Sequence, residues 1–347
     1  SITARIKVLS NLKLDEKRLP QDGRFKIDMN KEKVSFRVSI LPTYYGEKTV
    51  MRLLRENVSG FTLEYLGFHG EGLERIHHAT TLTTGMILTT GPTGSGKTTT
   101  LYTILDILNQ PDVNISTIED PIEYQMKRIN QTQVKSEIGF TFASGMRTLV
   151  RQDPDIIMIG EIRDNETASL AVNAALTGHL VLSTLHTNSA AGAIPRLLDM
   201  KIEPFLLVST LDVVIAQRLV RRLSDSKEKY FLTKDELVAL DKSIDLTRVM
   251  AALKAEKVIK GDVTWDKIPF YKAVPTKEDD GFKSRVGIHE ILKVTPSIKE
   301  MIIRGATSAE IEAQAKKEGM LTMFEDGIFN AVQGNTTIEE VLRVVSE

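Results

Sequence analysis

The sequence predicts an α/β protein in which a mostly parallel sheet is covered by helices on both faces. From about residue 66, short apolar runs such as Met86–Thr90 alternate with helical patterns. Continuous apolar strands separated by helices are typical of parallel sheets that are buried on both sides. Before this core the apolar residues alternate with polar ones, and after it a long segment has helical periodicity. We therefore expect a small α+β domain, an α/β core and a helical C-terminal region.

The first domain is predicted over residues 1–55. Apolar residues at three- and four-residue spacing favour a helix within residues 1–14, and a period of two follows. That alternation predicts three strands joined by turns at Asn30–Lys31 and Thr43–Gly46. The next stretch lacks periodicity and indicates a linker over residues 56–66. Because the chain does not begin with Met and opens inside a helical pattern, we expect this domain to be incomplete.

The core is predicted over residues 67–223. Its strands are expected at Met86–Thr90, Val113–Ile118, Ile156–Gly160 and Leu180–Leu185, and its helices at Lys97–Asn109, Phe142–Gln152 and Glu166–Leu176. Two further helices are expected after Leu185, ending near Leu223. Residues 224–284 are charged and Lys-rich, which indicates an inserted subdomain. A strand and a helical bundle are expected over residues 285–347.

Composition limits the class of protein. The 347 residues include 45 Lys plus Arg and 46 Asp plus Glu, and the formal net charge is −1. Proteins that track a phosphate backbone usually carry a basic excess, so we expect no nucleic-acid partner. No cysteine is present, which excludes disulfides and thiolate metal sites. No segment reaches the roughly 20 apolar residues that span a bilayer, so we expect membrane association only through partners.

A phosphate-binding motif follows the first strand of the core. The residues GPTGSGKT match the pattern G-x-x-x-x-G-K-[ST] and open a helix. Glycines let backbone amides turn inward, and a helix N-terminus adds positive potential for phosphate. Lys97 is expected to reach the β- and γ-phosphates, and the Thr98 hydroxyl to ligate Mg²⁺. The predicted nucleotide-binding residues here are Gly91, Pro92, Thr93, Gly94, Ser95, Gly96, Lys97, Thr98 and Thr99.

Acidic residues follow two further strands of the predicted core. Glu119 and Asp120 follow one strand, and Glu161 follows Ile156–Gly160. Parallel strands bring their carboxyl ends to the same edge of the sheet, where the phosphate-binding loop also lies. Carboxylates there can hold Mg²⁺ through water and polarise the attacking water. Glu161 and Glu119 are therefore the predicted catalytic acids.

Two histidines, His179 and His186, flank the next strand. A structural role is the more common one for a lone histidine, but their position at the ends of a neighbouring strand also fits a residue that senses γ-phosphate or water. Zinc ligation is not expected, because no cysteine and no third ligand is evident.

Taken in order, these motifs resemble the secretion-superfamily ATPases of type IV pilus extension and type II secretion (PilB/GspE-like). The resemblance covers nearly the whole chain and includes RLPQDGR, FRVS, MRLL, GPTGSGKTTTLY, TIEDPIEY, RQDPDIIMIGEIRDNETA, TGHLVLSTLHTN, AQRLVRRL and RVGIHEIL. It implies a RecA-like P-loop NTPase core, an N-terminal PAS-like (N2-type) domain and Mg²⁺-dependent ATP hydrolysis coupled to mechanical work. It also implies a cytoplasmic homohexamer at the inner face of the membrane, with an inner-membrane platform protein (PilC/GspF-like) and associated assembly proteins as partners.

The resemblance also assigns roles to residues. It makes Gly91–Thr98 the Walker A loop and Glu161 the Walker B glutamate. The acidic Asp box corresponds to Glu119, Asp120 and Glu123, and the His box to His179 and His186. Arginines that reach the nucleotide correspond to Arg37 and Arg52 in the N-terminal domain and to Arg147, Arg151 and Arg163 in the core.

The chain is expected to depart from the family pattern in two respects. The first is an N-terminal domain that lacks its first strands, and the second concerns zinc. Members usually carry two cysteine pairs that bind zinc, where this chain has Ser224–Lys227 and Pro275–Asp279. We therefore expect no zinc and expect packing alone to hold residues 224–284. Two alternatives stay open: a retraction ATPase of the same superfamily, and a nucleotide-gated scaffold without turnover.

Overall fold

The structure is a computed structural model, which describes residues 2–29, 32–55, 61–277 and 279–346. The chain forms two compact units. Unit 1 comprises Ser1–Gly60 with Pro121–Lys127, and unit 2 comprises Phe61–Asp120 with Arg128–Glu347. The predicted Asn30–Lys31 turn and residues 56–60 of the predicted linker lie outside the described residues.

Unit 1 is a helix packed on an antiparallel sheet. Its elements are α1 (Ile2–Leu9), β1 (Gln21–Met29), β2 (Glu32–Thr43) and β3 (Gly46–Arg55), and β2 is the central strand. Val38 and Ile40 on β2 are buried together with Ile6 of α1, so this face of the sheet forms the small core. The opposite face carries the residues that alternate with them along the strand.

Unit 2 is built around a seven-stranded sheet. In spatial order its strands are β12 (Phe282–Lys293), β9 (Leu211–Leu223), β4 (Gly85–Thr90), β8 (Leu180–Leu185), β7 (Ile156–Ile159), β5 (Ile115–Glu119) and β6 (Ile129–Gln133). All neighbouring pairs are parallel except β12 with β9. The inner strands β4, β5, β7 and β8 are buried at every residue, as expected for a parallel sheet covered on both faces. The predicted α/β fold with a parallel-dominated sheet is confirmed.

Helices surround this sheet. They are α2 (Gly70–Thr80), α3 (Lys97–Leu108), α4 (Phe142–Leu149), α5 (Asn165–Leu176), α6 (Ala193–Asp199), α7 (Pro204–Thr210), α8 (Lys234–Asp241), α9 (Leu246–Ala255), α10 (Pro296–Ile303), α11 (Ser308–Lys317), α12 (Met323–Val332) and α13 (Ile338–Val345). Several begin with a capping box in which a threonine hydroxyl and a glutamate three residues later each bond the other's backbone N–H. In α12 these residues are Thr322 and Glu325. No helix among the described residues is long and apolar enough to cross a membrane.

One prediction in the core is wrong. The helix expected to end near Leu223 ends at Thr210, and Leu211–Leu223 forms strand β9. This strand pairs with β4 on one side and with β12 on the other, so it is buried in the sheet. An apolar run that is buried on all sides has no amphipathic period, and its β-branched residues Val213, Val214 and Ile215 were the available signal for a strand.

The segment 224–284 contains α8, α9 and a two-stranded sheet of β10 (Lys227–Phe231) and β11 (Pro269–Ala273). Packing does contribute, because Val249, Leu253 and Phe270 share an apolar cluster with Phe329 of α12. The prediction that packing alone holds this segment is wrong, because the segment also forms ion pairs with the remainder of unit 2.

Two of these ion pairs are largely buried. Arg248 Nε lies 3.1 Å from Glu325 Oε1, and the Glu325 side chain is 1% exposed. His69 donates through Nδ1 to Glu256 Oε1 at 2.8 Å and through Nε2 to Asp326 Oδ1 at 2.6 Å. Burial alone would lower the pKa of His69, but the two carboxylates outweigh it and raise this pKa to about 10. His69 therefore links α9 to α12 as a cation.

This linkage predicts an alkaline loss of stability. A histidine whose pKa is raised on folding contributes stability that is fully present below pH 6.5 and disappears as the pH rises to about 10. Replacing His69 by Gln should lower the free energy of unfolding of unit 2 at pH 7 by roughly 3 kcal/mol, since it leaves buried carboxylates without their cation. Denaturant unfolding at pH 7 and pH 10 measures this.

The exposed His77 of α2 gives a matched control, His77→Gln. The wild-type protein and the control should lose stability between pH 7 and pH 10, and His69→Gln should lose clearly less. Equal losses in all three proteins would contradict the role assigned to His69.

Candidate functional site

The loop between β4 and α3 is shaped by glycines. Gly91, Gly94 and Gly96 have φ values of 143°, 81° and 92°, in the region that favours glycine. At Gly91 a Cβ atom would lie 2.5 Å from the Gln217 carbonyl oxygen, so no larger residue fits there. The loop therefore runs close to β9 and ends at the N-terminus of α3, where backbone N–H groups are free to bind an anion.

Side chains from neighbouring strands fix this loop. Gln217 on β9 donates from Nε2 to the Ser95 carbonyl oxygen at 2.8 Å. Thr90, at the end of β4, accepts from the Thr187 backbone N–H at 2.8 Å, which joins the ends of β4 and β8. The Ser95 hydroxyl is buried without a hydrogen-bond partner among the described residues. Gln217 was missed as a functional residue, although a polar side chain in the apolar run of β9 was a signal.

Lys97 begins α3 and is 9% exposed. Its ammonium group folds back over the loop and donates to the carbonyl oxygens of Gly91 at 2.7 Å and Pro92 at 3.0 Å. Burial lowers the pKa of Lys97, and the charge of Glu161 acts in the opposite direction. The lysine and the glutamate are therefore electrostatic neighbours at one edge of the sheet.

Glu161 lies just beyond β7, and its side chain is 12% exposed. Arg163 Nη2 lies 2.5 Å from Glu161 Oε1, and His186 Nε2 lies 3.4 Å from Glu161 Oε2. The chain positions this group through the Thr184 hydroxyl, which donates to the Gly160 carbonyl oxygen at 2.8 Å. The structure thus brings Glu161, Arg163, His186 and Lys97 together.

Glu119 ends β5 but does not present its carboxylate at the edge of the sheet. The residue is 2% exposed, and its carboxylate accepts hydrogen bonds from the Thr117 hydroxyl at 2.5 Å and from Gln131 Nε2 at 3.2 Å. It also accepts a hydrogen bond from the Tyr102 hydroxyl of α3. The next residue, Asp120, is exposed. Sequence reasoning located Glu119 on the right strand end but did not anticipate that its carboxylate turns back beneath α3.

His179 lies at the opposite end of β8 from His186. Its Nδ1 is 2.8 Å from the Ala174 carbonyl oxygen at the end of α5. The strand between the two histidines has six residues, which at about 3.3 Å each separates them by roughly 20 Å. The structure does not bring His179 to the phosphate-loop edge of its own unit.

Arg147 and Arg151 also lie elsewhere. Arg147 pairs with Glu166 of α5, and both side chains are more than half exposed. Arg151, just after α4, donates to the Arg147 carbonyl oxygen. These arginines line an exposed surface of α4 and α5. Pro92, Thr93, Gly94 and Thr98 form the exposed rim of the loop, and Thr99 is half-buried.

Arg37 and Arg52 belong to unit 1. Arg37 pairs across the sheet with Arg52 on β3 and with Arg24 on β1, so the three side chains share one face. Arg24 Nη2 donates to the Glu123 carbonyl oxygen at 2.5 Å within the same unit. Like charges directly opposite each other destabilise a sheet, so such a row favours an anion as its partner. Arg24 was missed as a site residue, although it ends the RLPQDGR block.

The phosphate loop, Thr98 and Glu161 together have the groups that Mg²⁺ and phosphate require. The exposed Thr98 hydroxyl and the Glu161 carboxylate provide oxygen ligands, which magnesium prefers. The loop offers backbone N–H groups and an ammonium group for phosphate oxygens. The described residues contain no group of three or more His, Cys, Asp or Glu that could hold a metal ion.

The chain is similar to several known proteins of secretion and pilus systems. The chain is 46% identical to the type II secretion system protein E of Xanthomonas campestris over 348 aligned residues, covering 100% of this chain and 59% of that protein. It is 45% identical to the type IV pilus assembly ATPase PilB of Myxococcus xanthus, covering 99% of this chain and 58% of that one. The chain therefore spans a little under three fifths of these relatives.

A solved structure of the pilus retraction motor PilT with bound ADP has a similar fold. Its TM-score to this chain is 0.67 at 27% sequence identity, covering 94% of this chain and 77% of that one. The model of the family "Type II/IV secretion system protein" matches residues 1–343. Since that match extends over nearly the whole sequence, the chain belongs to this family.

Proposed function

We propose that this chain is the ATPase part of a motor that assembles type IV pili or type II secretion pseudopili. One observation carries the proposal: the phosphate-loop lysine, Lys97, and a carboxylate, Glu161, lie at the same edge of the sheet, where the charge of Glu161 acts on the lysine. The names of relatives at 45% and 46% identity support the assembly reading. Since the chain spans only part of those proteins, the substrates and partners of the whole protein belong to this proposal.

Lys97 is the proposed phosphate ligand. Its ammonium group already has two hydrogen bonds to carbonyl oxygens of the loop, so contact with phosphate exchanges neutral acceptors for charged ones. Charge-assisted hydrogen bonds are about twice as strong as neutral ones, so this exchange favours binding. The glycine loop and the N-terminus of α3 add backbone donors for the same anion.

Glu161 is the proposed catalytic acid. It is mostly buried but not enclosed, and Arg163 and His186 each contact one of its oxygens. Such a carboxylate can orient an attacking water while its neighbours fix its rotamer. A Mg²⁺ ion held by Thr98, with Glu161 acting through water, would neutralise charge on the phosphates. The Glu119 carboxylate, which is bonded beneath α3, is proposed to act on this site indirectly. No zinc is part of the proposal.

We propose the division into domains 1–55, 67–223, 224–284 and 285–347 with a linker at 56–66.

The remaining predicted residues are proposed to act between these domains or between subunits. The arginine row of the first domain is suited to bind phosphate when that domain closes on the nucleotide. The exposed Arg147 and Arg151, together with His179, are proposed to face a neighbouring subunit of a homohexamer. Asp120 and Glu123 are proposed to line the same nucleotide site.

We propose that this protein associates with the membrane through partner proteins. An inner-membrane platform protein of the PilC/GspF kind and associated assembly proteins would hold the cytoplasmic ring at the membrane. A retraction motor is the second candidate, favoured by the fold similarity to PilT. The higher identity to assembly proteins and the RLPQDGR block favour assembly. A third candidate is a scaffold that binds ATP without hydrolysing it. Measuring ATP binding and phosphate release distinguishes this scaffold from a motor.

Two substitutions separate binding from turnover. Lys97→Ala should abolish hydrolysis and greatly weaken ATP binding, because it removes the ammonium group that contacts phosphate. Glu161→Gln should keep binding within a few-fold but reduce turnover by about 100-fold or more, the scale of general acid–base catalysis. Nucleotide titration and phosphate release measure the two effects. Lys135→Ala and Glu137→Gln change exposed residues of the same charge and serve as matched controls.

Turnover of Glu161→Gln near the wild-type rate would remove Glu161 as the catalytic acid. Binding without phosphate release in the wild-type protein would instead favour the scaffold.

The arginine row yields a separate prediction. Replacing Arg37 or Arg52 by Ala should not lower the melting temperature, since it relieves a like-charge pair. Turnover should fall by roughly 10³-fold or more, as for other arginine fingers. Arg52→Lys should restore little activity, because an ammonium group lacks the planar fork of a guanidinium. Arg18→Ala, at a 91% exposed side chain in the same unit, is the control. Activity within a few-fold of wild type for all these variants would show that the row does not act in catalysis.

A further inference from the structure

We propose that Tyr102 is a positioning residue, which acts on turnover by holding the carboxylate of Glu119. The inference rests on the proposed ATPase function and deepens it by adding a residue to that site. Tyr102 ends the GPTGSGKTTTLY block, beyond the phosphate-binding residues Gly91–Thr99, and the sequence analysis assigns it no role.

The contact joins the phosphate-loop helix to the acidic strand. Tyr102 lies on α3, five residues after Lys97, and is fully buried. Its hydroxyl donates to Glu119 Oε2, whereas Thr117 and Gln131 donate to Oε1. Both oxygens of the carboxylate are therefore bonded by neutral donors, from the helix on one side and from the sheet on the other.

Burying a carboxylate at this position costs folding stability, and its presence therefore indicates a function. Burying an ionised carboxylate is unfavourable even when it is hydrogen-bonded, and an apolar side chain of similar size could fill the same space. The donors compensate for the burial and fix one rotamer of Glu119. A buried polar group whose partners orient it so fully is typical of a functional site and unusual for a core that only needs packing.

Glu119 also borders the residue that precedes Glu161. The Gly160 backbone N–H donates to the Ile118 carbonyl oxygen at 2.8 Å, and a Cβ atom at Gly160 would lie 3.4 Å from Glu119 Cα. Since β5 and β7 are adjacent, we expect a displacement of Glu119 to shift the neighbouring strand end that carries the catalytic acid. Tyr102 thus connects the helix that receives phosphate with the two strand ends that carry acids.

This arrangement affects turnover more than binding. Phosphate contacts come from the loop and from Lys97, and none of them needs the tyrosine hydroxyl. Removing that hydroxyl takes one hydrogen bond from a charged group, which corresponds to about a tenfold effect when the bond acts in the transition state. The KM for ATP should then stay within about twofold while kcat falls.

The test compares two hydroxyl deletions on the same helix. Tyr102→Phe removes the donor to Glu119. Thr103→Val removes a neighbouring hydroxyl whose hydrogen bond goes to the Thr99 carbonyl oxygen within α3. We expect kcat to fall about tenfold in Tyr102→Phe and less than about twofold in Thr103→Val, with similar thermal melting in both.

The double variant Tyr102→Phe/Glu119→Gln reports whether the tyrosine acts through Glu119. If it does, adding Tyr102→Phe to Glu119→Gln lowers kcat by much less than the expected tenfold, because the carboxylate it positions is already gone. Thr117→Val removes a second donor, and a fall in kcat without a change in KM is expected there too. That variant keeps the proposal open to refutation if Tyr102→Phe fails to fold.

The possible failures are distinguishable. A wild-type protein that releases no phosphate contradicts the proposed function itself. An active wild type with kcat unchanged in Tyr102→Phe, or with a full additional loss in the double variant, overturns only the role of Tyr102. An equal rise in KM and melting defect in Tyr102→Phe and Thr103→Val would show general damage to α3 and would also overturn it.

Discussion

The direction of the strands in the large sheet is the constraint on which the candidate site depends. Strands β4, β8 and β7 are adjacent and parallel, so the phosphate loop, His186 and Glu161 leave the sheet at one edge. Hydrogen bonds between the carboxyl ends of neighbouring strands then fix the spacing of these ends. Thr184 bonds to Gly160 just after β7, and Thr187 bonds to Thr90 at the end of β4. Without the parallel register, residues that are about 60 positions apart in sequence would not meet.

The same fold keeps several charged groups away from water, and each has partners that make this possible. Lys97 is bonded to carbonyl oxygens, and Glu119 to hydroxyl and amide donors. His69 is held between the carboxylates of Glu256 and Asp326. Charge pairing is thus a second means of attaching the segment 224–284, besides its apolar cluster with α12. Such pairs depend on pH, whereas apolar packing does not.

Sequence reasoning predicted the parts of the site that have strong local signals. The glycine pattern located Lys97, and a carboxylate directly after an apolar strand located Glu161. It could not tell where a side chain points, so Glu119 was expected at the edge of the sheet and lies beneath α3. It also could not distinguish a fully buried strand from a helix at Leu211–Leu223. The alignment of Arg24 with Arg37 and Arg52 depends on antiparallel register, which a single sequence does not specify.

The central claim is that ATP is hydrolysed at this sheet edge by a chain that works in an assembly. Steady-state phosphate release by the wild-type chain, measured with Mg²⁺ over a range of ATP and protein concentrations, tests it most directly. We expect release that saturates with ATP and a rate per subunit that rises with protein concentration, because neighbouring subunits are proposed to complete the site. No release above background at any protein concentration would contradict it.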